Sequence, residues 1–174
     1  FIGQEFYREF VASWREQPQA DQFSIAVQER PSARWGSLIW IEHGHRPLFR
    51  AFLSPGNRDR VRLAAQQATQ VVYQQVIDDH NSASALSAPV NIEKKDGGLL
   101  LQFPDEMKSK TLTGELYFYC AYDSKKDKRI SLQADSNAQQ LIPAGSILPG
   151  SYTVKIKWSN GEKSYYAEQN FSLL

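Results

Sequence analysis

The apolar positions of the first 80 residues follow a helical period, then a strand period, then a helical period again. Phe6, Phe10 and Trp14 recur every four residues with charged side chains between them, which predicts an amphipathic helix over about residues 4 to 16. Asn57 is predicted to cap a second, long helix rich in alanine and valine. Between the helices, period-two alternation and short apolar runs predict three antiparallel strands, at residues 22 to 29, 37 to 42 and 48 to 53. These elements indicate an α+β unit whose helices cover one face of the sheet.

Beyond about residue 90 the helical period disappears, and short apolar segments alternate with turn residues. Seven such segments fit into about 85 residues, and Asn160-Gly161 between Trp158 and Tyr165 is a strong hairpin signal. This pattern predicts an all-β, immunoglobulin-like sandwich. The seven strands are predicted at residues 90–93, 99–103, 112–119, 129–133, 139–142, 151–158 and 164–173.

The change of period sets the predicted domain organisation, with an α+β domain over residues 1–80 and the sandwich over residues 90–174. The small polar residues of 81–89 are predicted to form a linker or a fraying helix end. Basic side chains change type at the same place: residues 1–88 hold nine arginines and no lysine, whereas the rest of the chain holds ten lysines and one arginine. Exposed positions of one domain do not require such a split. One hypothesis is that the two halves have separate histories and were joined naturally or as an artificial fusion.

The overall composition excludes several classes of protein. The near balance of 20 basic and 19 acidic side chains gives no electrostatic footprint for nucleic acid. No apolar run approaches the roughly 18 residues that a membrane helix needs, so no membrane span is expected in this chain. No basic segment followed by an apolar one opens it, so we expect no secretion signal within it. A single cysteine excludes an internal disulfide.

Three groups of residues could in principle carry chemistry. His43 and His45 would project to the same side of a strand end, but two imidazoles are too few for a closed metal site, so a solvated turn is expected. Met107 and Cys120 offer soft sulfur to copper(I), or else serve as buried apolar side chains. Residues 78–80, Asp-Asp-His, are expected to form a solvated helix end and not an acid–base group. Phosphate loops, nucleophile elbows and metalloprotease signatures are absent from the sequence, so we expect no enzyme, cofactor or metal.

The most specific string of the chain lies between the first two predicted strands and reads Glu29-Arg30-Pro31-Ser32-Ala33-Arg34-Trp35-Gly36-Ser37. Its two guanidiniums can bind carboxylates in a bidentate manner and its indole supplies area to bury, which are residue types favoured at protein interfaces. The alternative is that the indole fills the core and the arginines brace the loop. On the first interpretation, the candidate partner-binding residues are Arg30, Pro31, Arg34, Trp35 and Gly36.

This string resembles the CsgE family of curli assembly factors. The resemblance extends to Phe6-Tyr7-Arg8, Phe52-Leu53 and Arg58-Asp59, and it covers about residues 1 to 80. It implies a periplasmic accessory protein that binds curli subunits, which form amyloid fibres, and a homo-oligomeric ring that caps the outer-membrane secretion channel. The leading hypothesis is therefore a non-catalytic factor for the secretion and assembly of these subunits.

Four strings of the second half occur in a defined order: Gly114-Glu115-Leu116-Tyr117-Phe118-Tyr119, Leu141-Ile142-Pro143, Leu148-Pro149-Gly150-Ser151-Tyr152 and Val154-Lys155-Ile156-Lys157-Trp158. In this order they resemble the soluble domain of FixH-type proteins, over about residues 86 to 174. The resemblance implies an accessory module on the outer side of the bacterial inner membrane that assists maturation of a copper-containing cytochrome oxidase. Cys120-Ala121 stands where an arginine and a proline are expected, which weakens any transfer of function at that loop. This role is the alternative to the leading hypothesis.

Overall fold

The computed structural model describes residues 2–44 and 46–174. The chain folds into two compact units, one up to Ile77 and the other from Asp78 to Leu174. The first unit combines helices with an antiparallel sheet and the second consists mainly of strands, so the predicted α+β fold class is confirmed. The predicted domain limits, at residues 80 and 90, stay a prediction.

The first unit consists of a helix, a three-stranded antiparallel meander and most of a second helix. Its elements are α1 (Ile2–Arg15), β1 (Ala26–Ser32), β2 (Gly36–His43), β3 (Arg46–Leu53) and α2 (Arg58–Ser84). The strands pair in the order β1-β2-β3, as the sequence predicts. Asn57 also caps α2 as predicted, because its Oδ1 accepts a hydrogen bond of 3.0 Å from the Arg60 N–H.

Strand β1 begins later than predicted, and it also ends later. A single 3₁₀ turn, Ala20–Gln22, precedes it, and the Trp14 indole N–H donates a hydrogen bond of 3.2 Å to the Ala20 carbonyl oxygen. This bond ties the segment after α1 to the helix, and Phe23 is buried ahead of the strand. The predicted start was wrong because the apolar alternation begins before the backbone pairs with β2. The predicted end was wrong because this pairing continues to Ser32.

Aromatic rings along α1 build the core of the first unit against one face of the sheet. Phe6 lies 6.1 Å from Phe10 and 6.4 Å from Phe49 of β3, measured between ring centroids. The Trp14 ring meets Tyr73 of α2 edge-on at 6.1 Å, so the two helices lie side by side. Helix α2 buries its small apolar residues, which allows close packing; these are Val61, Ala65, Ala68, Val72 and Val76.

His43 is buried, and the expectation of a solvated turn was wrong for this residue. Its side chain is 1 % exposed, and its ring stands perpendicular to Phe23 at 6.4 Å between centroids. The reason is strand parity: His43 has the same parity along β2 as the fully buried Ile39 and Ile41, so it points to the same face. His45 lies outside the described residues.

The second unit contains seven strands, and each was predicted from the sequence. The strands form two antiparallel sheets with the orders β10-β9-β6-β7 and β4-β5-β8. One cluster of buried apolar side chains includes residues of both sheets, so the sheets share a core. The immunoglobulin-like detail stays a prediction. The strands are β4 (Asn91–Lys95), β5 (Gly98–Gln102), β6 (Thr113–Tyr119), β7 (Lys128–Ser131), β8 (Gln139–Pro143), β9 (Gly150–Ser159) and β10 (Ser164–Leu173).

Met107 and Cys120 both belong to this core cluster. They therefore serve as buried apolar side chains, which is one of the two roles that the sequence allows. The Cys120 backbone N–H is also occupied, since it donates a hydrogen bond of 2.8 Å to the Asp127 carboxylate.

The expectation of a solvated helix end was also wrong for Asp79. Helix α2 continues to Ser84, so residues 78–80 do not form its end, and Asp79 is only 2 % exposed. Its Oδ2 lies 3.9 Å from the Nζ of Lys157 on β9, which supplies the opposite charge that a buried carboxylate needs. Beyond it, Ala83 and Leu86 pack against the core of the second unit. Within residues 2–44 and 46–174, neither α2 nor any other helix is long and apolar enough to cross a bilayer.

Candidate protein-binding surface

The five candidate residues lie at and near the tip of the β1–β2 hairpin. Arg30 and Pro31 belong to β1, Gly36 begins β2, and Arg34 and Trp35 lie in the turn between them. The last cross-strand pair joins Ser32 to Gly36, so only three residues form the turn. The sequence predicts a longer loop here; the structure instead continues the two strands to the tip, which fixes the direction of the flanking side chains.

Gly36 is required by the close approach of β3. Its φ is +105°, and a Cβ at this position would lie 2.0 Å from the Leu53 carbonyl oxygen. Any other residue would have both a strained backbone and a collision with main-chain atoms. Gly36 is buried, so it shapes the hairpin and does not itself face a partner.

Trp35 is 68 % exposed, so the interpretation that it fills the core is wrong. Trp14 and Trp158, in contrast, are buried. Arg30, Pro31 and Arg34 are also exposed. Within the described residues neither guanidinium forms an ion pair, so both are available to a carboxylate of a partner.

The sheet face opposite α1, here called the open face, continues this surface. Cross-strand pairing places Arg30, Leu38 and Phe52 in one row of it and Gln28, Trp40 and Arg50 in the next. Phe52 is 48 % exposed and both Leu38 and Trp40 are half-buried. The Trp40 indole N–H donates a hydrogen bond of 2.8 Å to the Glu42 carboxylate, which orients the ring along its own strand.

Sequence reasoning did not identify the open face as part of the site. The signal was present in β2, whose residues 38 to 41 are apolar on both faces although the predicted helices cover only one face of the sheet. Aromatic, aliphatic and arginine side chains together on an exposed sheet face are typical of a protein-binding surface.

The opposite face of β1 is anchored to α1. The backbone N–H of Gly3 donates a hydrogen bond of 3.2 Å to Glu29 Oε1. The carboxylate therefore lies at the N-terminal end of α1, where the helix dipole stabilises negative charge. This contact ties the middle of β1 to α1 on the covered face of the sheet, while the tip and the open face stay accessible.

Several side chains of the second unit, away from the hairpin, have pKa values shifted by burial or by hydrogen bonds. Burial raises the pKa of Tyr166, and a short hydrogen bond to Glu168 raises it further. Burial and a hydrogen bond of 2.8 Å to Asp127 raise the pKa of Tyr117. Hydrogen bonds from Ser87 lower the pKa of Glu106. Over residues 2–44 and 46–174, no three histidine, cysteine or acidic side chains come together as a metal site.

The first comparison with known proteins concerns the family of the N-terminal part of the chain. A family model described as curli assembly protein CsgE matches residues 1–93, more than half of the chain. The chain belongs to the CsgE family of curli assembly proteins. The description of this family is that of an assembly protein and names no catalytic activity.

Three relatives are similar to the chain over part of its length. The curli production assembly/transport component CsgE of Salmonella typhi is 38% identical over 80 residues, which are 44% of this chain and 59% of that protein. The proteins of the same description from two Escherichia coli strains, O6:H1 and O157:H7, are each 41% identical over 58 residues, 33% of this chain and 43% of theirs. The chain thus spans less than two thirds of these CsgE relatives. No solved structure matches it.

The second half matches the FixH family model over residues 67–172, so the chain also belongs to the FixH family. The CsgE and FixH matches share residues 67–93, which include α2 from residue 67 to its end at Ser84. Both resemblances that the sequence carries are therefore confirmed.

Proposed function

We propose that this chain is a non-catalytic, periplasmic accessory factor for the secretion and assembly of curli subunits. In this role the β1–β2 hairpin binds the subunits and the outer-membrane secretion channel through Arg30, Arg34 and Trp35. The CsgE family and the curli assembly/transport names of the relatives support the pathway. The observation that carries the proposal is the 68 % exposure of Trp35 in the turn of a hairpin that also carries the exposed Arg30 and Arg34.

The proposed role includes self-association into a ring. A ring requires two different surfaces of each copy to meet head to tail, because a self-complementary contact would stop at a dimer. The hairpin tip projects from one end of the sheet and is suited to be one of these surfaces. Native mass spectrometry of the full chain should show a single closed oligomer well above a dimer, and a strict monomer at micromolar concentration would contradict this part of the proposal.

The functional test is fibre formation by a purified curli subunit, followed by thioflavin T fluorescence. We expect the wild-type chain to lengthen the lag phase at substoichiometric amounts. Trp35→Ala and Arg34→Ala should each remove most of this effect, while Leu63→Ala, which truncates an exposed side chain of α2 in the same unit, should not. An unchanged lag phase with wild-type protein would overturn the proposal.

The FixH match supports a second candidate function, in which the C-terminal unit assists maturation of a copper-containing oxidase. Since Met107 and Cys120 lie in the core, such a role would operate through protein contacts and not through these sulfur atoms. Titration with copper(I) in the presence of a competing chelator is the test. Saturable binding that is lost in Cys120→Ser would show instead that the sulfur atoms act as ligands.

A further inference from the structure

The outer edge of β1 is an exposed sheet edge of regular geometry. The strand spans seven residues, or about 23 Å, and six of the seven are exposed. Among the described residues no strand pairs with its outer side, since the sheet order is β1-β2-β3. Its pairing with β2 runs from Ala26 to Ser32 without interruption. The other edge, β3, has a register shift at Ile41/Glu42 and is therefore less regular.

Sheet edges are normally protected by prolines, charged residues, bulges or a covering element, because their unpaired N–H and C=O groups attract other strands. Strand β1 contains a proline and an inward-pointing acid. Pro31, however, lies next to the hairpin end, and the Glu29 carboxylate is held by the Gly3 N–H on the side of α1. The stretch from Ala26 to Arg30 therefore keeps its backbone groups accessible.

The side chains beside this edge are suited to an added strand. On the open face β1 presents the small or polar residues Ala26 and Gln28, and Trp40 lies behind Gln28 on β2. Neighbouring strands are about 4.8 Å apart, so an aromatic side chain of an added strand could lie across Gln28 and reach the indole. Arg30 follows two residues after Gln28 on the same face, where it can bind a carboxylate or an amide oxygen.

We propose that the β1 edge binds an extended, amyloid-forming segment of a client chain as a fourth strand, with the apolar side chains of that segment on the open face. This inference rests on the proposed function, since it names the kind of client segment that the surface beside the hairpin receives. The segment has about six residues, in which aromatic or β-branched side chains alternate with amide or acidic ones. Main-chain hydrogen bonds supply sequence-tolerant affinity, while Trp40 and Arg30 select the alternation.

The direct test is hydrogen–deuterium exchange of the full chain with a synthetic probe. The probe is a six-residue peptide that alternates valine or tyrosine with asparagine and ends in a carboxylate. Its control is the same peptide N-methylated at alternate residues, which removes hydrogen-bond donors. We expect the probe to slow exchange over Ala26–Ser32 by about threefold or more, and we expect no change with the N-methylated peptide.

Two variants locate the contact, and a third is the control. Gln28→Lys places a charge on the exposed edge and should weaken peptide binding about tenfold without unfolding the chain. Trp40→Ala should weaken it to a similar extent through loss of the aromatic contact. Leu141→Ala, an exposed residue on the edge strand β8, should leave the affinity unchanged.

The outcomes separate this inference from the proposed function. If wild-type chain delays curli fibre formation but the peptide protects another edge, or no edge at all, the strand-addition site is wrong and the proposed function stands. If β1 is protected only as the chain self-associates without peptide, the edge binds a second copy and the inference is overturned. If the chain neither binds the peptide nor delays fibre formation, the proposed function fails with it.

Discussion

Gly36 is the position where one added methyl group should damage the first unit most. Its φ of +105° is a backbone conformation that residues with a side chain rarely adopt. Backbone strain of this kind costs about 1–3 kcal/mol. The added Cβ would also lie 2.0 Å from the Leu53 carbonyl oxygen. Leu53 of β3 must then move away from Ser37, the residue of β2 with which it pairs. Each hydrogen bond weakened by that shift costs about 1 kcal/mol. We therefore expect Gly36→Ala to lower the free energy of unfolding by about 3 kcal/mol.

Gly56 provides the matched control. Its φ is also positive, at +93°, but an added Cβ would meet no atom within 4 Å. Gly56→Ala should therefore cost only the backbone strain, about 1 kcal/mol. Urea unfolding followed by tryptophan fluorescence is the assay, because Trp14, Trp35 and Trp40 all lie in the first unit. Equal losses for the two variants would refute the close approach of β3 to the hairpin.

Three further predictions concern the second unit. Asp79→Ala should lower the free energy of unfolding by about 3 kcal/mol because it removes a buried carboxylate that pairs with Lys157. Asp105→Ala, which removes an exposed ion pair, should cost less than about 1 kcal/mol when urea unfolding is followed by far-ultraviolet circular dichroism. The lowered pKa of Glu106 means that its stabilising contribution is present above the ordinary value of 4.5 and is lost as pH falls through its lower folded value. Glu106→Gln should thus flatten the acid limb of a plot of melting temperature against pH, and an unchanged limb would contradict this. Because burial and Glu168 raise the pKa of Tyr166, ultraviolet titration of Tyr166→Phe should superimpose on the wild-type curve until the fold is lost at alkaline pH.

The elements of both units could be predicted because their patterns are local. The period of Phe6, Phe10 and Trp14 defines α1, and the Asn57 side chain marks the start of α2. The seven strands of the second unit alternate with turn residues that break the backbone at the predicted places, such as Asn160-Gly161. In each case the residues that determine the element are neighbours in sequence, so no knowledge of tertiary contacts is needed.

The predictions were wrong where tertiary contacts determine where a strand begins or whether a side chain is buried. A hydrogen bond between Trp14 and Ala20 delays the start of β1, and no local pattern reveals it. His43 and Asp79 look like solvated residues beside turns or helix ends, but strand parity buries the first, and Lys157 accommodates the charge of the second. Burial of a polar residue depends on a partner distant in sequence, and composition does not identify that partner.

The candidate site was likewise predictable from the sequence in part only. The sequence identifies the hairpin string and its residue types, but it leaves open whether Trp35 lies in the core or in solvent. The position of Trp35 in the turn at the hairpin tip determines its exposure, and the face of the meander that α1 covers determines the exposure of Phe52 and the open face. The open face could therefore be recognised only once the strand register was known.

The most direct test of the central claim is the binding of a fluorescently labelled, unfolded curli subunit to the full chain, measured by anisotropy. We predict saturable binding by wild-type protein that weakens at least about thirtyfold in Trp35→Ala, as for an exposed aromatic residue at the centre of an interface. Leu63→Ala should bind like the wild type, and circular dichroism should show all three proteins folded. Equal affinity of the wild type and Trp35→Ala would contradict a role for the hairpin in binding the subunit.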